Sequence, residues 1–466
     1  MHFSHKEPEV AQTGDCDGIL EVFHQLPEPK RDCLLCFFKF PPMEIIKRTP
    51  MIYLWIGQGY IFQYPLSSEG HVCDVEMRAS RIFDELIAKG FIEPIYKTCS
   101  SMPHSCSMSR SVHSKLCLIN VCEAIIDCGP EIFHYMKNFQ SLYLGRWQNS
   151  ARHHIELADP KLLHGLNKVK GLTFLSLQVI STITELPTFI SELNHLRILD
   201  LRACHDLEVV PNKIGLLRSL THLDMSECHL LEHMPKSLAQ LSNLQVLKGF
   251  LIGGINQNKQ SCTLRDLLGL QKLRKLNIHV SLIDPLKLQD LEYLEKFGGL
   301  KKLTISWGRL QGRAEVIEKA FRFATLPPTL QKLDLQCFPM ASLTNWLIPG
   351  KLQELKKLYI SGGQLRDLGE IQKRQAEKLN VEILHLKYLS QLELHWRDLR
   401  TLFPKLICLH QVEFPNFYHF QCDERGTWMD HKAIDTHMQL QNYLRSYGTI
   451  RSSSTLGSGS TSTQDM

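Results

Sequence analysis

The chain has 466 residues, 43% hydrophobic and 22% charged, with a formal net charge of +5. That length exceeds what one hydrophobic core usually supports, so two or more units are expected. The charge is too small to argue for nucleic acid, and no run reaches the roughly 18 apolar residues of a membrane-spanning helix.

The opening "MHFSHKEPEVAQTGDCDG" lacks the basic region and apolar run of a signal peptide. Residues 1–24 read as a disordered or residual linker. No Asn-x-Ser/Thr acceptor occurs, and apart from Cys33-x-x-Cys36 the 15 cysteines are scattered without paired spacing. Reduced thiols in a cytoplasmic protein fit this better than a disulfide framework.

Residues 25–122 form the first predicted domain. "PKRDCLLCFFKF" suits a short amphipathic helix, and "TPMIYLWIGQGYI" a second one of about two turns, with Pro50 in its first turn and Gly57 and Gly59 near its end. "EMRASRIFDELIAKGFI" places Ile82, Phe83, Leu86 and Ile87 at helical spacing. "EPIYKT" and the segment leading into "SCSMSRSVHSKLCLI" read as a wing and a last helix. Three helices and a small hairpin describe a winged helix. Cys33-x-x-Cys36 has redox or zinc spacing, but it lies in an apolar helix with no second pair at finger-like distance, so core cysteines are expected.

From residue 123 to 420 a Leu-x-x-Leu-x-Leu pattern recurs. It runs from Leu172, Leu196, Leu220 and Leu244 at 24-residue intervals, then from Leu273, Leu300, Leu330, Leu355 and Leu389, with Phe139 opening a first copy. Each copy predicts a short strand. Pro187, Pro211 and Pro235 stand in register between the early copies, where each starts a return path. One such unit cannot bury its leucines alone, whereas stacked units form a continuous core. The fold class is therefore α/β: a leucine-rich-repeat solenoid (horseshoe) preceded by a small winged-helix domain.

The residues between the leucines face away from that core. Lys275, Lys302, Lys332 and Lys357 occupy one equivalent position in successive copies, with Trp307, Tyr359 and Trp396 in or just after strands. Two readings stand: lysines that keep the sheet soluble, or a basic and aromatic stripe for a protein partner. Residues 421–466 read as one amphipathic helix followed by a Ser/Thr/Gly-rich disordered tail. His153-His154 lacks further metal ligands nearby, and no catalytic signature is present, so no enzyme is expected.

The order "CLLCFFKFPP", "LWIGQGYI", "FDELIAKGFIEP", "CSMSRSVHSKL", followed by leucine-rich repeats, resembles plant nucleotide-binding leucine-rich-repeat disease resistance proteins of the coiled-coil class. The matching positions are Cys33, Leu34, Leu35, Phe37, Leu54, Trp55, Ile56, Gly59, Tyr60 and Ile61. The resemblance implies a role in innate immunity, with a host kinase-like protein or pathogen effector as partner, and full-length receptors as further partners. It also implies ADP or ATP as cofactor in full-length members. No Gly-x-x-x-x-Gly-Lys-Ser/Thr loop occurs here. An N-terminally truncated receptor without a cofactor is therefore expected. The family's closing Met-His-Asp, whose histidine is thought to sense the nucleotide phosphates, aligns with Met108-Ser109-Arg110, which puts nucleotide sensing in doubt. The alternatives are a winged-helix nucleic-acid binder, which the acids in "SRIFDELIAKGF" oppose, and a non-immune repeat scaffold.

Overall fold

The computed structural model describes residues 22–23, 25–40, 42–63, 75–96, 102–117, 140–144, 160–253, 261–280, 285–308, 324–343, 346–348, 350–368, 378–413, 417–418, 422 and 426–430. Of the linker expected over residues 1–24, only Val22 and Phe23 are described; they are helical, and Phe23 is buried in the core of the helical domain. His153-His154 and the expected helix and tail after residue 430 lie outside these residues. The chain forms two compact units, residues 1–330 and 331–466.

The first unit opens with helices α1 (Glu28–Leu35), α2 (Arg48–Gln58), α3 (Val75–Ala88) and α4 (Arg110–Cys117). Strands β1 (Ile46–Lys47), β2 (Glu93–Ile95) and β3 (Ser105–Ser107) form an antiparallel sheet in the order β1-β3-β2. The apolar stretch around residues 33–61 is the core of this domain. Phe37, Trp55 and Phe83 meet edge-on or tilted, 6.0–6.5 Å apart. Helix α2 is longer than the two turns expected. It starts two residues before Pro50, which the first turn tolerates because its N–H has no intrahelical acceptor. It stops at Gly59, whose left-handed backbone (φ 82°) returns its N–H to the Ile56 carbonyl. In α3, Ala79, Ile82, Phe83 and Leu86 are buried on one face. Arg48 ties the two helices with a paired bond to Asp84 (2.7 and 2.9 Å) and another to the Ser80 carbonyl. Cys33 and Cys36 are free thiols buried in this core.

Seven parallel strands follow: β4 (Ser141–Tyr143), β5 (Phe174–Ser176), β6 (Ile198–Asp200), β7 (His222–Asp224), β8 (Val246–Ile252), β9 (Lys275–Val280) and β10 (Lys302–Trp307). Leu142, Leu175, Leu199, Leu223, Leu247, Leu276 and Leu303 pair across them as one column. All seven are buried. Pro187, Pro211 and Pro235 each precede a short 3-10 turn, and each proline carbonyl accepts from Ile190, Ile214 or Leu238. These three side chains point inward and are buried. Strand β8 bulges after Leu247, where Gly249 (φ 76°) passes so close to the Met225 carbonyl that a Cβ would lie 2.2 Å from its oxygen.

The second unit holds β11 (Lys332–Phe338), β12 (Lys357–Gly363), β13 (Ile383–Lys387) and β15 (Cys408–Val412), all parallel, with β17 (Thr427–Met429) antiparallel on β15. Leu333, Leu358, Leu384 and Leu409 form its buried column. Here the sequence register needs correction. The copy expected from Leu389 is not a strand of this sheet. Its strand is β13, written Val381-x-x-Leu384-x-Leu386, with valine where the pattern has leucine. Leu394 instead enters β14 (Leu394–His395), which among the described residues pairs with β16 (Phe417–Tyr418) in a separate two-stranded sheet.

Candidate protein-interaction surface

The outward sheet face of the first unit is occupied by the chain's own helices. Gly57 of α2 packs on β5, where a Cβ would lie 2.7 Å from the Cβ of Phe174. Phe174 and Ile198 join the hydrophobic cluster of the helical domain. Tyr53 is buried with its ring 4.5 Å from that of His222, and the Lys248 ammonium lies 5.6 Å from its centroid. From α3, Glu76 reaches the same face. One oxygen lies 3.3 Å from His222 Nε2, and the other pairs with the Lys275 ammonium. Burial opposes ionisation of this carboxyl, but the His222 bond and the Lys275 charge outweigh it and hold the pKa well below the usual range.

Beside this contact runs a buried polar ladder. Arg202 donates to Asp200 (3.0 Å) and to Gln178 (2.8 Å), Lys248 donates to Asp224 (2.7 Å), and the Tyr143 hydroxyl reaches Gln178 (3.3 Å). Burial pushes the Asp224 pKa upward, but Lys248 and Arg202 prevail and lower it to about 2. Alternation along short parallel strands stacks these residues, since one outward position per strand recurs at the strand spacing.

The outward face of the second unit has a different character. Lys332, Asp334 and Gln336 of β11 stand opposite Lys357, Tyr359 and Ser361 of β12. Those in turn face Ile383, His385 and Lys387 of β13. Tyr359 and His385 stack with centroids 4.1 Å apart and planes 6° from parallel, and His410 meets His385 edge-on at 5.4 Å. Lys332 lies 4.2 Å from the Tyr359 centroid and 3.7 Å from Asp334. Burial, then His410 and the lysines, lower the His385 pKa to about 3. The ring is therefore neutral at physiological pH.

The seven partner candidates thus separate. Lys332, Lys357 and Tyr359 come together on the second unit. Lys275 and Lys302 pair in register on the first unit, but Lys275 is committed to Glu76. Trp307 is corrected outright. It follows Leu303 and Ile305 at period two, so it points into the core and is only 4% exposed. Trp396 is also corrected: it begins helix α5 (Trp396–Leu402) and meets Trp428 edge-on at 4.7 Å, away from the strand row. His385, Lys387 and Asp334 were missed by the sequence reading. The valine-led copy at Val381 was the signal that would have revealed the first two.

At the degenerate motif, Met108 is buried and Arg110 exposed. Ser109 precedes α4, and its Oγ accepts from the Val112 N–H at 3.3 Å. Among the described residues no group of three or more His, Cys, Asp or Glu side chains could hold a metal, and no helix is long and apolar enough to cross a membrane.

A family profile described as a leucine-rich repeat region matches residues 124–428. The chain belongs to the leucine-rich-repeat family. This leucine-rich-repeat protein is 24% identical over 468 residues to disease resistance RPP13-like protein 4 of Arabidopsis thaliana, covering 90% of this chain and 53% of that one. It is 26% identical over 91 residues to disease resistance protein RGA5 of Oryza sativa subsp. japonica, covering 20% and 8%. It thus spans about half the length of the first relative and less than a tenth of the second. Both are plant disease resistance proteins, the group its motifs resemble. An internalin (InlF) structure from Listeria monocytogenes aligns with 54% of this chain and 64% of its own at 16% identity and a TM-score of 0.34.

Proposed function

We propose that this leucine-rich-repeat protein is a recognition element of plant disease resistance. Its second unit meets a pathogen effector or a host kinase-like protein on the outward sheet face, while the first-unit face is engaged by the chain's own helical domain. One observation supports the division most: Glu76 binds both His222 and Lys275, so the row of outward lysines is already partly used within the chain. On the second unit Lys332, Lys357 and Tyr359 come together, an aromatic side chain among cations, the composition of interface hot spots. On this reading the chain works without binding ADP or ATP tightly, and Ser109 serves as a helix cap.

The test is capture of partners from leaf extract by the tagged full chain and two variants. Tyr359→Ala should lose the partner that the wild type retains. Glu192→Ala should keep it, since Glu192 lies on an exposed return turn, where its 2.6 Å pair with Lys170 is in solvent and outside this face. Equal recovery by all three forms would refute the assignment of recognition to this face.

A further inference from the structure

We infer that the outward face of the second unit takes an extended acidic protein segment, its carboxylates seated at Lys357 and Lys387 on either side of the stacked Tyr359–His385 pair. This rests on the recognition role proposed above and specifies the chemistry of the partner.

Charge is the first argument. Among the described residues the face presents Lys332, Lys357 and Lys387 against one carboxylate, Asp334, and that carboxylate is paired with Lys332. Lys357 and Lys387 have no ion-pair partner among the described residues. His385 is neutral and adds no positive charge, so the attraction is carried by the lysines.

Spacing is the second argument. Tyr359 is the register partner of His385, Lys357 stands two residues before Tyr359, and Lys387 two residues after His385. Four residues of strand rise and one strand spacing put the two lysine backbones roughly 14 Å apart. In an extended segment, side chains four residues apart on one side are separated by about 13 Å. Two carboxylates at that interval would match both lysines, and the residue midway would lie over the stacked rings. Lys332 and His410 flank the pair along the row, so a flat side chain there would meet the outward edges of the two rings in an edge-to-face contact. The Nε2 of His385 is buried and has no hydrogen-bond partner among the described residues, so the pair offers the newcomer apolar ring edges rather than a polar bond.

The probe is a fluorescein-labelled extended peptide with glutamate at every fourth position and tyrosine midway between, read by anisotropy against the full chain. Joint Lys357→Glu and Lys387→Glu should weaken its binding by at least about tenfold, and Lys→Gln at both sites by less. Affinity should fall with added salt and stay flat between pH 6 and 8, because His385 is neutral throughout that range. Thermal melting should barely change for either double variant, which separates lost binding from lost folding. Unchanged affinity in both double variants would overturn the inference. So would equal binding of a peptide with lysine in place of glutamate, or preferential binding of duplex DNA of matched charge. The leaf partner separates the two levels of the argument. Dependence on Tyr359 but not on the lysines would keep recognition and sink the acidic segment; dependence on none would sink both.

Discussion

Ser109 stands just before helix α4, and its Oγ accepts the Val112 N–H, satisfying one of the donors that a helix start leaves open. Ser109→Ala should therefore destabilise the helical domain by about 1 kcal/mol, visible as a lower melting temperature. Its effect on ADP affinity, measured by calorimetry, should be negligible. A large change in nucleotide affinity without loss of stability would show that the position senses phosphate after all. Trp307 is the contrasting case. As an inward residue at 4% exposure, its change to alanine should cost about 3–5 kcal/mol through lost burial and an unfilled cavity. An exposed anchor would cost almost nothing in stability. The alternation from Leu303 through Ile305 already contained this answer in the sequence, because period two fixes the side on which Trp307 lies. The environment of Ser109 was not legible, because a hydroxyl before a helix reads the same as one in a loop.

At the scale of elements, the decisive contact is α3 against the repeat strands. Glu76 is held ionised by His222 and Lys275, so its folded pKa lies below its unfolded value. The sign follows: its contribution is fully present above the unfolded value near 4.5 and is lost as pH falls toward the folded one. Glu76→Gln removes the charge while keeping the shape, leaving the half-buried Lys275 without its carboxylate. The cost should be about 2 kcal/mol at neutral pH and should shrink in acid. Hydrogen exchange in residues 48–58 and 75–88 should rise in the variant while the repeat strands keep their protection. Unaltered exchange in both helices would mean that Gly57 and Tyr53 hold the domain without Glu76. The strands were readable from leucine spacing and the proline-led turns from their register. The docking of α3 was not, since its partners lie 146 and 199 residues away and no local pattern connects them.

For the whole molecule, the consequence of stacking is that a defect should stay near where it is made. Each repeat contacts chiefly its neighbours, so stability is approximately a sum of repeat and nearest-neighbour terms. Leu199 is fully buried in β6, in register with Leu175 and Leu223. Leu199→Asp places an uncompensated charge in that column at a cost on the order of 4 kcal/mol. Strands β5, β6 and β7 should lose hydrogen-exchange protection, and the helical domain should loosen with them, because Phe174 and Ile198 belong to its hydrophobic cluster. Residues 333–338, 358–363 and 383–387 belong to the other compact unit and should retain theirs. The acidic probe peptide should accordingly still bind a chain carrying Leu199→Asp. Loss of protection throughout both units would show that the chain unfolds as a single cooperative body, and unchanged protection everywhere would contradict the leucine register itself.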